Sequence, residues 1–210
     1  MPRTADHDLR RRQIADAVCA LIAERGLDAV TVAGTAARAG ISVGLVQHYF
    51  RAKDDMLLHA FRTVTARIRD RADRHRRAGT AHRSPISAVL LAALAETIPF
   101  DGERRTEFRV ARAFAGRALD NPRLAEVDTA TADALRADIA GAVDNGRECG
   151  EVGPGIDTET AAVRLAAVTE GLALRVYRGA DAPGLREAVD AVLRAELAAV
   201  FSGTCRQYEP

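Results

Sequence analysis

Apolar residues recur at the spacing of α-helices along almost the whole chain. Near its start, Ile14, Ala17, Val18, Leu21 and Ile22 fall at positions i, i+3, i+4, i+7 and i+8, so they share one helix face. No segment alternates apolar and polar residues for more than a few positions, as a half-buried strand would. We therefore predict an all-α fold of about nine helices.

Glycines divide the first part of this pattern into three short helices. Gly26 is predicted to end the first helix, because glycine adopts the left-handed conformation found after helix ends. Thr31 is predicted to cap a second helix (VAGTAARAG), and Ser42 a third (VGLVQHYF), with a tight turn at Gly40. Such an arrangement is typical of a helix-turn-helix unit, whose last helix enters the major groove of DNA.

Longer helices are predicted after this unit. Asn121-Pro122 opens one of them, with proline at the first helical position, and Asp157 caps another. The stretches AGTAHRS and GRECGEVGPGID are expected to be breaks, because they are rich in turn-forming residues. The predicted segments are about 54–77, 85–98, 102–119, 122–145, 157–178 and 185–201.

The last two of these helices are apolar over most of their surface. A helix without a polar face must be buried on several sides, in a core or against another subunit. Two copies of the pair could form an isologous four-helix bundle that buries both apolar stripes. We expect a homodimer through the last two helices, with a purely intramolecular core as the alternative.

Charge and composition limit the class of protein. The chain has 210 residues and a net charge of +1, which argues against a general binder of polyanions. However, residues 1–78 carry 15 basic and 9 acidic residues, whereas residues 79–210 carry 15 and 20. The asymmetry suggests a polyanion-facing end, and solvated helix faces are the alternative. We expect a cytoplasmic protein without a secretory signal or membrane span, since no apolar run approaches roughly 18–20 residues.

Catalytic patterns are not found in the sequence. It has no GxSxG, HExxH or GxGxxG motif, and its only lysine is Lys53. Asp55 and His59 are one helical turn apart, but no third metal ligand is visible, so a surface Asp–His pair is the simpler interpretation. The three cysteines are scattered and are interpreted as filler or surface thiols. We predict no enzyme activity, no cofactor and no metal.

Residues 26–57, GLDAVTVAGTAARAGISVGLVQHYFRAKDDML, resemble the DNA-binding region of the TetR/AcrR family of transcriptional regulators. The shared elements are the RGL-x-x-V-T entry, the AARAGIS turn, the YF ending of the third helix and the KDDML start of the fourth. The form LVQHYF is most similar to the BetI-like branch. The resemblance implies a helix-turn-helix DNA-binding domain over residues 1–54 and a ligand-sensing and dimerisation domain over residues 55–210.

The resemblance also implies a mechanism. Such a protein is expected to repress transcription by binding double-stranded, palindromic operator DNA as a homodimer. A small-molecule effector, which the sequence does not identify, would then pull the two reading helices out of register. The fourth helix would be the lever, because it joins the sensing domain to the DNA-binding unit.

The third helix carries most of the expected DNA contacts. The Gln47 amide is suited to hydrogen-bond adenine, and Val43 and Leu45 to touch thymine methyl groups, with core packing as the alternative for these two. Val46 and Phe50 are expected in the core, and for Tyr49 a structural and a DNA-contacting role are both open. The candidate DNA-binding residues are Thr31, Ser42, Val43, Gly44, Leu45, Gln47, His48, Tyr49 and Lys53.

Three residues of the second helix depart from the usual family pattern. Gly34 stands where a charged residue or alanine is common, Thr35 where an apolar core residue is usual, and Ala33 where some relatives place a base-contacting arginine. A glycine inside a helix costs about 1 kcal/mol relative to alanine. These departures motivate an alternative function, that of an all-α binding or interaction protein whose first module no longer reads DNA.

Candidates for an effector pocket come from the longer helices. Arg112 and Glu170 lie in apolar stretches of sequence, where a charge must find a partner or face a cavity. Pairing between these two charges, and core packing of the apolar candidates, are the alternatives. The full set is Phe61, Leu94, Phe108, Arg112, Glu170 and Tyr177.

Overall fold

A computed structural model describes residues 3–179 and 182–206, with side chains from residue 7 onward. These residues form nine α-helices and a short 3-10 helix, Leu27–Ala29, and contain no strand, which confirms the predicted all-α class. The helices are α1 (Arg3–Arg25), α2 (Val32–Ala39), α3 (Val43–Tyr49), α4 (Lys53–His82), α5 (Ile86–Ala95), α6 (Gly102–Ala118), α7 (Pro122–Cys149), α8 (Thr158–Arg178) and α9 (Leu185–Ala198).

The chain divides into two compact units. The first comprises Met1–Arg67 and Arg105–Asp128, and the second Ile68–Arg104 and Thr129–Pro210. Helices α4, α6 and α7 each contribute residues to both units. The predicted domain boundary between residues 54 and 55 stays a prediction.

In the first unit, α1 packs against α2, and α2 packs against α3. The predicted apolar face of α1 is buried throughout, from Ile14 to Ile22. The helix ends follow local chemistry as expected: the Thr31 hydroxyl accepts a hydrogen bond from the Gly34 amide at 3.0 Å, and the Ser42 hydroxyl one from the Leu45 amide at 3.2 Å. Each cap satisfies one of the free amides at the start of its helix.

The turn between α2 and α3 depends on Gly40. Its φ of 65° is left-handed, and the amides of Ile41 and Gly40 donate to the carbonyls of Ala36 and Ala37. This pair of hydrogen bonds is a Schellman motif, which satisfies the last carbonyls of α2 and redirects the chain into α3. The glycine therefore determines the angle at which α3 leaves α2.

Two helices, α4 and α7, are longer than predicted, because Gly79 and Gly146 lie inside them at close packing contacts and do not end them. The expected break after about Arg77 is wrong: α4 continues to His82, and the chain turns at Arg83, whose φ is 53°. Gly79 is buried, and a Cβ built on it would lie 2.2 Å from the Val89 Cγ2 atom. Glycine here permits a close approach of Val89, which lies on the following helix, α5.

The same correction applies to α7, which continues past the predicted end at Asn145-Gly146 to Cys149. A Cβ on Gly146 would lie 2.7 Å from side-chain atoms of both Phe201 and Val152. Phe201 itself follows α9, which ends at Ala198 rather than near residue 201. The predicted cap at Asp157 is confirmed, since its carboxylate accepts a hydrogen bond from the Thr160 amide at 2.8 Å.

The second unit has an aliphatic core and two buried carboxylates, those of Glu96 and Glu151. Its larger apolar cluster includes Leu94, Ile139, Val143 and Leu165, and α8 packs against α9 beside it. No helix within the described part of the chain is long and apolar enough to span a membrane.

The first of these carboxylates, Glu96, lies just after α5. Its oxygens accept hydrogen bonds from Arg71 at 2.8 Å and Arg104 at 2.7 Å, and one of them lies 2.9 Å from the His75 ring nitrogen. Burial alone would raise the pKa of Glu96, but the bonds from these three partners outweigh it and hold the pKa at about 2. Glu96 therefore ties α4 and α6 to the end of α5.

Candidate nucleic-acid interface

Helix α3 has one buried face and one open face. Val46 and Phe50, one helical turn apart, are buried, which confirms their expected place in the core. On the other side Ser42, Gly44, Gln47 and His48 are exposed, and Val43 is 44% exposed despite being apolar. Leu45 is half-buried at the edge of the open face. Exposed valine next to an exposed amide is the surface expected of a helix that contacts base edges.

Gly44 lies on this open face, with nothing within 4 Å of a Cβ built on it. The protein itself therefore has room for a larger residue at this position. Gly44 is the second residue of α3, and a glycine within a helix costs up to about 1 kcal/mol relative to alanine. Because this glycine relieves no contact within the chain, it is suited to close approach by a partner's backbone.

Tyr49 has structural contacts of its own. Its ring is half-buried, with the His7 ring at 4.7 Å and the His48 ring at 5.3 Å between centroids. The His7 contact joins the end of α3 to the beginning of α1. This is a structural role, and a DNA contact of Tyr49 stays a prediction.

Lys53 begins α4 and is half-buried. The two carboxylates that follow it are held by side chains of α6 and α7. Asp54 accepts two hydrogen bonds from the Arg117 guanidinium, both 3.0 Å, and one from the Asn121 amide at 2.9 Å. The bonds from Arg117 lower the pKa of Asp54. These contacts hold the first turn of α4, and so the position of Lys53, against the rest of the first unit.

The sequence pattern gave no indication of these long-range partners, because arginines are spread over the whole chain. The predicted surface pair of Asp55 and His59 is wrong, because Asp55 also has a partner from a distant part of the sequence. Asp55 instead accepts a hydrogen bond from Arg123 at 2.9 Å. His59 is half-buried beside the Phe50 ring, at 5.3 Å between centroids, and burial lowers its pKa.

Helix α2 keeps regular geometry despite its unusual residues. A Cβ on Gly34 would lie 3.0 Å from both the Ala29 carbonyl oxygen and the Thr31 hydroxyl, so glycine fits a tight approach at the start of the helix. Thr35 is 0% exposed, and its hydroxyl has no hydrogen-bond partner among the described residues. Thr35 thus occupies a core position, as the family pattern indicates, but it leaves a buried hydroxyl without a hydrogen bond. The neighbouring Ala33 is exposed.

A side-chain hydrogen bond joins α1 to the end of α2. The Gln13 amide donates to the Ala39 carbonyl at 2.7 Å, while Arg10 donates to the Gln13 amide oxygen at 2.9 Å. Arg38 and Glu24 form a second, exposed link between these helices at 2.6 Å. The two links supplement the apolar packing that positions α2 and, through the Gly40 turn, α3.

The pocket candidates are divided between the two units. Phe61 is buried in the first unit and stacks on the Phe114 ring, with 3.9 Å between centroids, so it occupies a packed core position. Leu94 is buried in the apolar cluster of the second unit. Phe108 in the first unit and Tyr177 in the second are half-buried. Membership of these residues in a pocket stays a prediction.

For Arg112 and Glu170, the expectation of an apolar surrounding is wrong in the single chain, because both are exposed. Residues adjacent in sequence point to different sides of a helix, so flanking alanines do not surround a charge. The buried face of α6 carries Val110, Phe114 and Ala118 instead.

Models of two protein families match this chain. Residues 14–60 match "Bacterial regulatory proteins, tetR family", and residues 87–202 match "BetI-type transcriptional repressor, C-terminal". The first match covers the second half of α1, all of α2 and α3, and the start of α4, and the second covers most of α5 to α9.

Individual relatives agree with these matches. The chain is 29% identical over 174 residues to the HTH-type transcriptional regulator PksA of Bacillus subtilis, which covers 83% of this chain and 82% of PksA. It is 41% identical to the HTH-type transcriptional regulator BetI of Escherichia coli over 70 residues, 33% of this chain and 36% of BetI. A crystal structure of a transcriptional regulator from Rhodococcus sp. Rha1 superposes with a TM-score of 0.77 and 30% identity, over 91% of this chain and 96% of that one.

Proposed function

The chain belongs to the TetR family of bacterial transcriptional regulators, in the branch with a BetI-type C-terminal domain, and we propose that it acts in the cytoplasm as a homodimeric repressor. Its family is one of ligand-responsive DNA-binding proteins.

The observation that carries the proposal is the open face of α3. Gln47 and His48 are exposed while Val46 and Phe50 anchor the helix in the core, so the helix is held firmly with a reading surface outward. In this arrangement Gln47 hydrogen-bonds a base edge, and Val43 contacts a thymine methyl group. Ser42, His48, Tyr49 and Lys53 contact the sugar–phosphate backbone, and Thr31 lies at the start of α2 within reach of the same strand.

The exposed faces of α8 and α9 support a homodimer. Val163 is 54% exposed and Val192 is 41% exposed, and both are large apolar residues left in contact with water in the single chain. Small exposed residues continue both stripes at helical spacing, namely Ala167 and Gly171 on α8, Ala188 and Ala195 on α9, and Ala199 directly after it. Small side chains allow helices to approach closely, so two copies of the pair could form a four-helix bundle.

A homodimer of this kind requires a palindromic operator, since a two-fold axis presents the same α3 to each half-site. The two reading helices must then lie about 34–36 Å apart, one turn of the duplex. An effector bound among the helices after residue 54 acts on α3 through α4, which is continuous for 30 residues. An effector that prefers a different distance between the two reading helices weakens the affinity of the dimer for DNA. By thermodynamic linkage, bound DNA then weakens the affinity for the effector by the same factor.

The first experiment is in vitro selection of duplex DNA by the purified full chain at near-physiological salt. The proposal predicts a recovered palindrome with half-site centres one helical turn apart or a multiple of it. A protein that is folded and dimeric but enriches no sequence would refute the DNA-reading function. The alternative, a helical binding protein whose first module no longer reads DNA, would then be favoured.

Two variants assign roles on the selected site. Gln47→Ala should cost about 1–3 kcal/mol on that site and little on other sequences, because it removes a base contact. Lys53→Ala should weaken binding on all sequences and reduce the salt dependence by about one charge. If neither substitution changes DNA binding, these residue assignments are wrong even if the protein binds the palindrome.

A further inference from the structure

Two of the three cysteines, far apart in sequence, meet in the second unit. Cys149 is the last residue of α7, and Cys205 lies in the segment after α9. Their sulfur atoms and a carboxylate oxygen of Glu151 all lie within 4.8 Å of one another. Cys149 and Glu151 are each 2% exposed, and Cys205 is half-buried.

Backbone packing brings the cysteines together. The Gly203 amide donates to the Glu151 carbonyl at 2.9 Å, and a Cβ on Gly203 would lie only 2.2 Å from the Gly150 carbonyl oxygen. Gly150 has a φ of 99°, which favours glycine. Two glycines therefore allow the chain after α9 to lie directly on the end of α7, with Cys205 beside Cys149.

The distances suit a tetrahedral metal ion. With zinc bonds of about 2.3 Å to sulfur and 2.1 Å to oxygen, two ligands at the tetrahedral angle stand about 3.6 Å apart. The separation between the Cys149 sulfur and the Glu151 Oε1 atom is 3.6 Å. Two sulfur ligands would stand about 3.8 Å apart by the same geometry, inside the 4.8 Å limit of this group.

The Glu151 carboxylate is already oriented. Its two oxygens accept hydrogen bonds from the amides of Ile86 at 2.8 Å and Ser87 at 3.1 Å, at the start of α5. Each carboxylate oxygen has two lone pairs, so Oε2 keeps one for a metal ion. The second lone pair of Oε1 accepts from the Cys149 thiol at 3.6 Å and becomes available when that thiol loses its proton to bind a metal ion. Outer hydrogen bonds of this kind commonly fix the ligands of metal sites.

We propose that Cys149, Glu151 and Cys205 bind a thiophilic divalent cation, Zn²⁺ being the ion that this donor set fits. Three protein ligands leave the fourth tetrahedral position for water or another small ligand. Binding replaces the proton of each thiol, so two protons are released for each ion bound. The ion would join the segment after α9 to the end of α7.

The charges around the site are compatible with the ion. Two thiolates, one carboxylate and Zn²⁺ sum to −1. The Arg206 guanidinium lies over the intervening glycine, where a Cβ on Gly150 would be 2.5 Å from its Nε atom. The carbonyls at the end of α7 also favour positive charge, since a helix C-terminus carries partial negative charge.

The test uses the full-length protein, reduced with a phosphine, stripped of metal, and titrated with Cd²⁺ as a spectroscopic probe. We expect one Cd²⁺ per chain, an ultraviolet thiolate-to-metal charge-transfer band, and displacement of that band by Zn²⁺. Zn²⁺ should also raise the thermal midpoint, because an ion that binds only the folded state stabilises it.

Matched cysteine variants locate the site. Cys205→Ser should lower the affinity roughly tenfold or more while the chain stays folded, because this residue is half-buried and follows the last helix. Cys19→Ser, at a buried cysteine of the first unit, should leave the band and the affinity unchanged.

Several results would overturn the proposal. One is the absence of the charge-transfer band in the reduced wild-type protein, and another is an unchanged band in Cys205→Ser. A third is the formation of a disulfide between Cys149 and Cys205 under mild oxidation, seen as a mass loss of two hydrogens, in a protein that binds no ion when reduced. These cysteines would then form a disulfide site instead of a metal site.

Discussion

The buried hydroxyl of Thr35 should make this protein less stable than its own fold allows. Thr35 is fully buried in α2, and its hydroxyl oxygen has no hydrogen-bond partner among the described residues. Thr35→Val replaces that hydroxyl by a methyl group and keeps the branched shape of the side chain. Threonine and valine have similar helix propensities, so the backbone contributes little to the difference.

The expected gain has two parts. Removing an unsatisfied buried hydroxyl recovers about 1–3 kcal/mol of desolvation free energy. The buried methyl group adds about 0.8 kcal/mol. The lower end of this sum, about 2 kcal/mol, corresponds to a rise in thermal midpoint of roughly 4–8 °C for a chain of this size.

Thr31 provides a matched control one helical turn earlier. It is exposed, and its hydroxyl caps α2 by accepting from the Gly34 amide at 3.0 Å. The same chemical change, Thr31→Val, removes that cap and should cost about 1 kcal/mol, which lowers the midpoint by roughly 2–4 °C.

The assay is urea unfolding of both variants and the parent, followed by circular dichroism, with the slope m checked for constancy. Hydrogen exchange of the α2 amides shows whether the change is local to the first unit. A Thr35→Val variant that is less stable than the parent, or a pair of variants that shift in the same direction, would refute the reasoning.

Three other substitutions test separate parts of the molecule. Gly44→Ala should stabilise α3 by up to about 1 kcal/mol yet weaken operator binding. The control Gly116→Ala, also in open space, should stabilise α6 and leave the affinity for DNA unchanged. Unfolding measures the stability, and fluorescence anisotropy measures the affinity for DNA. Glu96 has a lowered pKa of about 2, so its ion pairs stabilise the fold fully above pH 4.5, and this contribution is lost as the pH falls towards 2. Glu96→Gln should therefore lower the thermal midpoint at pH 7 and flatten the dependence of the midpoint on acid pH. A midpoint-against-pH profile identical to that of the parent would contradict this. Val192→Glu places a charge on the exposed apolar stripe of α9, so this variant should be a folded monomer by size-exclusion chromatography with light scattering. A variant that remains dimeric would show that the dimer interface lies elsewhere.

Short-range chemistry was predictable from the residues because its partners are close in sequence. Thr31, Ser42 and Asp157 each cap a helix through an amide three residues later, and the Gly40 turn uses carbonyls within five positions. The buried pair Val46 and Phe50 follows from helical spacing alone. The motif that carries the family resemblance lies in this same locally determined part of the chain.

Contacts between distant segments were not predictable. Gly79 and Gly146 have the residue type that ends helices, yet both lie inside helices because Val89 and Phe201 pack on them. Arg112 and Glu170 lie in apolar sequence but on exposed helix faces. For the two glycines the contact lies on another element, so propensity and tertiary packing point in different directions. For the two charges, which helix face is buried depends on packing between helices.

The sequence by itself determined the helical class, the capped three-helix module and which face of α3 is buried, because each depends on hydrogen bonds and apolar spacing within a few residues. The tertiary structure alone decided the partners of Asp54, Glu96 and Cys149. Ion pairs and ligand groups form between side chains brought together from separate helices. Their chemistry depends on distances and burial that no linear pattern contains.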